Sequence, residues 1–226
     1  MTRLNSQPET TSPTKLKPIR MDGVNFNIID NEKFKHAISL LRESLFDGGE
    51  TLFCANNLIT WNKNYSFLRQ DFFLNILNDK EAGTIEKSII WRTYILLFFA
   101  EYSSSVEGDY LECGCYEGTT AHTVIKKINF SSLGKEYYLY DLFEWKEGDV
   151  HTKYSTHNNP NFHEEVVQKF AKYPFAYVIK GYVPQSFSEK FPEKVAFAHI
   201  DMNAPDPEAG ALKAIIPKLS KGGYYS

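Results

Sequence analysis

The chain has 226 residues, a formal net charge of −3 and 15% aromatic residues. That length suits one α/β domain with an appendage, and the near-neutral balance excludes the global basic field of a nucleic-acid binder. Three cysteines, an odd number, argue against a disulfide framework and fit reduced thiols in a cytoplasmic protein.

Residues 1–23 are rich in Ser, Thr, Pro and Lys, without periodicity. They read as a mobile tail, and they lack the apolar core of a signal peptide. A helical pattern starts at Asn31, with Phe34, Ile38, Leu41 and Leu45 on one face, and ends at Asp47-Gly48-Gly49. Residues 52–64, dense in Asn, read as a loop or short helix able to cover a pocket. Residues 67–77 read as a helix burying Phe72, Phe73, Ile76 and Leu77. A long helix is predicted over 84–102. Its apolar run is broken by Arg92 and is too short to cross a membrane. Residues 24–102 thus form an N-terminal helical region, whose apolar helices could pair two subunits, and 103–226 an α/β domain.

The α/β domain opens with Gly-Asp-Tyr-Leu-Glu-Cys-Gly-Cys-Tyr-Glu-Gly-Thr-Thr at 108–120. Apolar Tyr110 and Leu111 start a strand that ends at Glu112. Gly114 and Gly118 make a turn, and Val124, Ile125 and Ile128 follow at helical spacing. A glycine turn lets the backbone approach a ligand, and the helix start behind it offers free N–H groups and a partial positive charge. The pattern Glu-x-Gly-x-x-x-Gly is not the Gly-x-Gly-x-x-Gly of dinucleotide folds. The acid before the first glycine repels a pyrophosphate and favours S-adenosylmethionine (SAM), which carries an ammonium group and no phosphate.

Strands and helices then alternate, which predicts a parallel sheet with crossover helices. The second strand, 136–141, ends in Asp141, placed to receive ribose hydroxyls. A long polar loop, 142–161, carries Trp145, Asp149, His151 and His157. Asn161 and Glu164 have capping-box spacing ahead of a helix bearing Phe162, Val166, Val167 and Phe170. The third strand, 176–180, ends at Gly181, so Tyr182 can meet an adenine ring. The fourth, 195–201, ends in Asp201, at the edge where open α/β sheets bind ligands. His199 reads as a packed core residue. Asp206-Pro207-Glu208 reads as a helix start with an N-cap acid. Leu212, Ile215, Ile216 and Leu219 make that helix's buried stripe, and Gly222-Gly223 its end. A fifth strand then begins at Tyr224. Three residues are an odd end for such a sheet, so the rest of the domain is expected beyond Ser226.

Several segments resemble the macrocin O-methyltransferase-like group of class I SAM-dependent methyltransferases. They are Ile90-Trp-Arg-Thr-Tyr, Glu112-Cys-Gly-Cys-Tyr-Glu-Gly, Tyr140-Asp-Leu-Phe-Glu, Ile179-Lys-Gly-Tyr-Val-Pro, His199-Ile-Asp-Met-Asn and the stretch from Ala211 to Gly223. The resemblance covers residues 86 to the end and implies a Rossmann-like class I methyltransferase sheet. It implies that Glu112, Gly114, Cys115, Tyr116, Glu117, Gly118 and Thr119 line the SAM site, with Asp141 on the ribose, Leu142 beside it, and Gly181 and Tyr182 near the adenine. It further implies methyl transfer to a hydroxyl of a sugar or small metabolite, assisted by a divalent ion, usually Mg²⁺. Asp201 matches the first metal ligand. From a strand end it could also take the hydroxyl proton. The other two ligands of that group follow the fifth strand and are not in this sequence. A SAM-binding module without catalysis is the main alternative. An NAD-dependent reductase is a weaker one, disfavoured by Glu112.

Overall fold

The computed structural model describes residues 21–79, 87–144 and 159–226. The readings for 1–20 and for Trp145, Asp149, His151 and His157 lie outside them. The chain divides into two compact units, Met1–Ile90 and Trp91–Ser226.

The first unit contains a sheet where the sequence suggested only helices and loops. Strand β1 (Met21–Asp22) runs parallel to β2 (Leu52–Ala55), and β2 pairs antiparallel with β3 (Leu58–Trp61). So residues 21–22 are strand rather than tail, and the segment expected to be a loop is a hairpin. Its two-residue turn is Asn56-Asn57, both left-handed at φ 51° and 59°. That is the backbone a tight hairpin needs, and asparagine is among the few non-glycine residues that adopt it readily. All four β2 residues are buried, which removes the alternation that marks a half-exposed strand. Helix α1 (Asn31–Ser44) is capped by Asp30, whose carboxylate accepts the Lys33 N–H at 3.0 Å. Its Ile38, flanked by Phe34 and Leu41, packs on Leu52 and Cys54. The helix expected over 67–77 is broken at the extended Gln70 into a 3-10 helix (Ser66–Arg69) and helix α2 (Asp71–Asn78), which buries Phe73 and half-buries Phe72, Ile76 and Leu77 as the periodicity predicts.

The second unit is a doubly wound parallel sheet. After helix α3 (Ile90–Ser103), all but its first residue in this unit, come β4 (Asp109–Cys113), α4 (Thr119–Lys127), β5 (Tyr137–Asp141), α5 (Phe162–Phe170), β6 (Ala176–Lys180), β7 (Val195–Ile200), α6 (Pro205–Ile215) and β8 (Leu219–Tyr225). The strand order is β6-β5-β4-β7-β8, every pairing parallel. The chain starts at the middle strand, steps outward twice, then returns to the other side of β4. Such a reversal opens a crevice at the carboxyl ends of β4 and β7.

Registered partners share a face. On one face the buried Tyr110 ring meets Phe130 and Tyr137 edge-on, at 5.0 and 5.7 Å, and Phe197 tilted, at 5.2 Å, while Phe130 stacks on Tyr137 at 5.5 Å. The Tyr110 hydroxyl donates to the Ala100 carbonyl of α3. On the other face Leu111, Cys113, Tyr138, Tyr140, Ile179 and Ala198 pack against Ala211 and Ile215 of α6. Each such fully buried large side chain is worth about 1.5–3 kcal/mol relative to an exposed one.

Three local readings are corrected. Helix α6 starts with Pro205 in its first turn, after Ala204, so Asp206 is inside the helix rather than its cap. Glu208 in that turn accepts the Met202 N–H at 3.2 Å. The helix ends at Ile215, and Ile216 is 52% exposed. Strand β8 therefore begins at Leu219, and the glycine pair lies within it. The register jumps from Val195↔Leu219 to Phe197↔Tyr224, so Gly222, at φ 88°, sits in a bulge that takes up the extra residues. Before α5, Asn161 makes no side-chain cap. Asn159 does that work: its Oδ1 accepts the Asn161 N–H and its Nδ2 donates to Glu165, both at 3.0 Å.

Between α4 and α5, His122 Nε2 lies 3.0 Å from the Tyr173 hydroxyl. Burial, and then Lys126, Lys169 and Lys172, pull its pKa down to about 4. A base depressed in the fold contributes stability above its unfolded pKa of about 6.5 and loses it as pH falls toward the folded value. Urea midpoints at pH 7 and 4.5 are therefore expected to differ less for His122→Gln than for the parent chain; equal differences would refute the assignment.

No helix among the described residues is long and apolar enough to cross a membrane.

Candidate functional site

The carboxyl edge of the sheet brings together all four segments singled out in the sequence. Glu112 is the penultimate residue of β4, Asp141 closes β5, Gly181 and Tyr182 follow β6, and Asp201 follows β7. The edges are tied by backbone hydrogen bonds: Gly114 N–H to the Tyr140 carbonyl at 2.8 Å, Gly181 N–H to Asp141 at 2.9 Å, and Asp201 N–H to Cys113 at 2.9 Å.

Gly114 is left-handed at φ 87°, and a Cβ there would lie 2.2 Å from the Asp201 carbonyl oxygen. Glycine is what lets the two strand ends touch. Gly118, at φ 69°, is the N-cap of α4. Tyr116 is also left-handed, at φ 47°, and its N–H donates to Asp141 Oδ2 at 2.8 Å. The other Asp141 oxygen accepts the Phe143 N–H at 3.0 Å. Asp141 is thus oriented by two backbone donors. Thr119 begins α4, and its carbonyl accepts the Thr123 hydroxyl. Leu142 is half-buried, Glu117 is exposed, and Tyr182 is 53% exposed beyond Gly181.

Glu112 is the unusual group. It is 2% exposed, and among the described residues its Oε2 accepts one long hydrogen bond, 3.4 Å, from the Tyr137 hydroxyl. Burial pushes its carboxyl well above the usual carboxylate range. The Tyr137 hydrogen bond opposes this, and the charges of Asp201 and Asp141 add to it. Three acids therefore converge on one edge, one of them buried and short of donors. The neighbouring Cys113 and Cys115 are free and buried, and burial raises both thiols. They are packed thiols, not nucleophiles.

A cavity of about 370 Å³ lies beside Asp201, with Arg92, His199 and Ser226 on its polar side and Leu96 and Tyr224 on its apolar side. Arg92 Nη1 is 3.3 Å from Asp201 Oδ2. His199 Nδ1 is 3.0 Å from Ser226 Oγ, and burial lowers its pKa while Asp201 opposes that. The sequence reading placed His199 in the core; it is buried, but it also forms part of the cavity wall. Arg92 was read as a break in an apolar run and as part of a resembling segment, with no role of its own, and nothing local could show that α3 brings it to a strand end a hundred residues away.

The metal ligation expected at Asp201 is not completed by the described residues. Among the described residues no group of three or more His, Cys, Asp or Glu could hold an ion. Asp201 is a single carboxylate already engaged by a guanidinium, whereas Mg²⁺ demands near-octahedral oxygen ligation.

No family model matches the chain, and no curated protein matches it. Among solved structures it is similar in fold to the O-methyltransferase NovP, at 16% identity over 84% of this chain and 82% of that one, with a TM-score of 0.48. It is also similar to CalS11, a calicheamicin methyltransferase, at 16% identity over 71% and 76%, TM-score 0.46. A third is the Podospora anserina methyltransferase PaMTH1, solved with SAH bound, at 15% identity over 88% and 70%, TM-score 0.44.

Proposed function

We propose that the second unit binds SAM and transfers its methyl group to a hydroxyl of a small metabolite or sugar. The observation that carries this is the buried, donor-poor Glu112 facing Asp141 and Asp201 at the switch point of the sheet. Such a constellation is relieved by a cation, and a dinucleotide pyrophosphate would worsen it. The motifs favour the macrocin O-methyltransferase-like group, and the three free thiols suit a reducing cytoplasm.

When bound, SAM supplies an electrophilic methyl group on a sulfonium. The chain's part is to hold and align. Glu112 takes the ammonium end, the Gly114–Gly118 turn lets the backbone come close, and Asp141, fixed by two N–H donors, accepts the ribose hydroxyls. The hydroxyl acceptor lies in the cavity beside Asp201, whose carboxylate, paired with Arg92, orients the hydroxyl and receives its proton. The pairing of Asp201 with Arg92 is also what a non-catalytic SAM-binding module would show.

Calorimetric titration with SAM of the parent chain and of Asp141→Ala tests the reading. Asp141→Ala is expected to weaken binding about 10- to 100-fold, the worth of hydrogen bonds to a charged group. A folded chain that ignores SAM, or prefers NADH, would sink it. SAM binding without methyl transfer to any acceptor would select the non-catalytic alternative.

A further inference from the structure

One helix, α5, touches three consecutive residues of the glycine turn. The Phe162 ring lies 5.3 Å from that of Tyr116. Lys169 Nζ donates to the Glu117 carbonyl at 2.8 Å. The Phe170 ring occupies the space that a Cβ on Gly118 would need, 2.3 Å away. Phe162, 4% exposed, also lies 5.9 Å from the Phe143 ring. Tyr116 and Phe143 are the two residues whose N–H groups hold the Asp141 carboxylate. Both are left-handed, at φ 47° and 51°. Bulky residues rarely adopt that conformation, and it persists only where the surroundings impose it. The buried Phe162 ring therefore packs on both donors, with the neighbouring His163 ring 4.9 Å from Phe143, and the far end of the same helix holds the turn that opens α4.

We propose that α5 braces the cofactor site, with Phe162 and Lys169 as positioning residues. Phe162 acts through Tyr116 and Phe143 on the Asp141 carboxylate; Lys169 acts through the Glu117 carbonyl on the glycine turn. The inference rests on the SAM reading for its ligand, but the brace itself is a property of the ligand-free chain.

The test is a double-mutant cycle read by calorimetric titration with S-adenosylhomocysteine. Phe162→Leu keeps an apolar side chain and is expected to weaken binding about fivefold in the parent, yet less than about twofold in an Asp141→Asn background, because contacting residues on one pathway are not additive. Equal losses in both backgrounds, or none in the parent, would overturn the Phe162 role. Lys169→Met is expected to weaken binding to a similar degree and Lys169→Arg, which keeps a charged donor, to restore it; parent affinity in Lys169→Met overturns the Lys169 role, and this exposed pair carries the test if Phe162→Leu does not fold. Hydrogen exchange of the Tyr116 and Phe143 amides in the ligand-free chain separates the two proposals. Faster exchange in Phe162→Leu supports the brace even if the parent binds no S-adenosylhomocysteine, which would sink only the SAM reading; unchanged exchange overturns the brace even if it does bind.

Discussion

Replacing Glu112 with glutamine is expected to weaken SAM binding by about one to two orders of magnitude and, at the same time, to raise the stability of the ligand-free chain at neutral pH. Both effects follow from one fact. Glu112 is 2% exposed with, among the described residues, a single long hydrogen bond, and its pKa is raised by burial and by the charges of Asp201 and Asp141. For an acid whose folded pKa is raised, the stabilising contribution is fully present below the unfolded value, about 4.3, and is lost as pH climbs toward the folded one. Glutamine has the same shape and no charge, so its variant escapes that loss. Melting temperatures at pH 5 and 8 should therefore fall between the two for the parent more than for Glu112→Gln. Binding runs the other way. An ammonium group pairs with the ionised carboxylate, and losing a charged hydrogen-bond partner costs about 1.5–3 kcal/mol. Parent affinity should rise with pH across the same window, whereas that of the variant should stay flat. Equal SAM affinity in the two chains would remove Glu112 from the cofactor site.

That trade-off was partly visible in the bare sequence, because an acid placed between a strand and a glycine turn needs few neighbours to be read. The other strand-end residues, Asp141, Gly181 and Asp201, were found by the same rule: parallel strands read as apolar runs, and their ends mark the ligand edge. What stayed hidden depends on contacts between distant segments. The Asn56-Asn57 hairpin was missed because its strands are four residues each and the inner one is buried throughout. The glycine pair before Tyr224 looked like a helix stop because a bulge and a C-cap call for the same residue. Arg92 against Asp201, and Phe162 beneath Tyr116 and Phe143, are separated by 109, 46 and 19 positions, and no periodicity encodes such meetings.

Gly114→Ala is expected to produce the largest loss of stability of any single methyl addition to this edge. Two mechanisms combine. At φ 87° an L side chain is strained, which costs about 1–3 kcal/mol. The new Cβ would also stand 2.2 Å from the Asp201 carbonyl oxygen and 2.7 Å from its carbon, both backbone atoms that no rotamer change can move. Relief requires β4 and β7 to separate where Asp201 N–H bonds the Cys113 carbonyl, so the hydrogen bond and the placement of Asp201 are lost together. Gly48 provides the control. It is also left-handed, at φ 63°, but nothing lies within 4 Å of the position its Cβ would take, so Gly48→Ala carries the strain without the clash. Gly118→Ala falls between them, because the obstructing atoms belong to the Phe170 side chain, which can shift. The expected order of thermal stability is Gly48→Ala, then Gly118→Ala, then Gly114→Ala. The last should fall below the first by about 3 kcal/mol or more, the range reserved for overpacking against fixed atoms, and should bind no SAM even where it remains folded. A Gly114→Ala chain that melts with Gly48→Ala and keeps SAM affinity would mean that the two strand ends are not in contact, and with them the whole geometry of the edge would have to be redrawn.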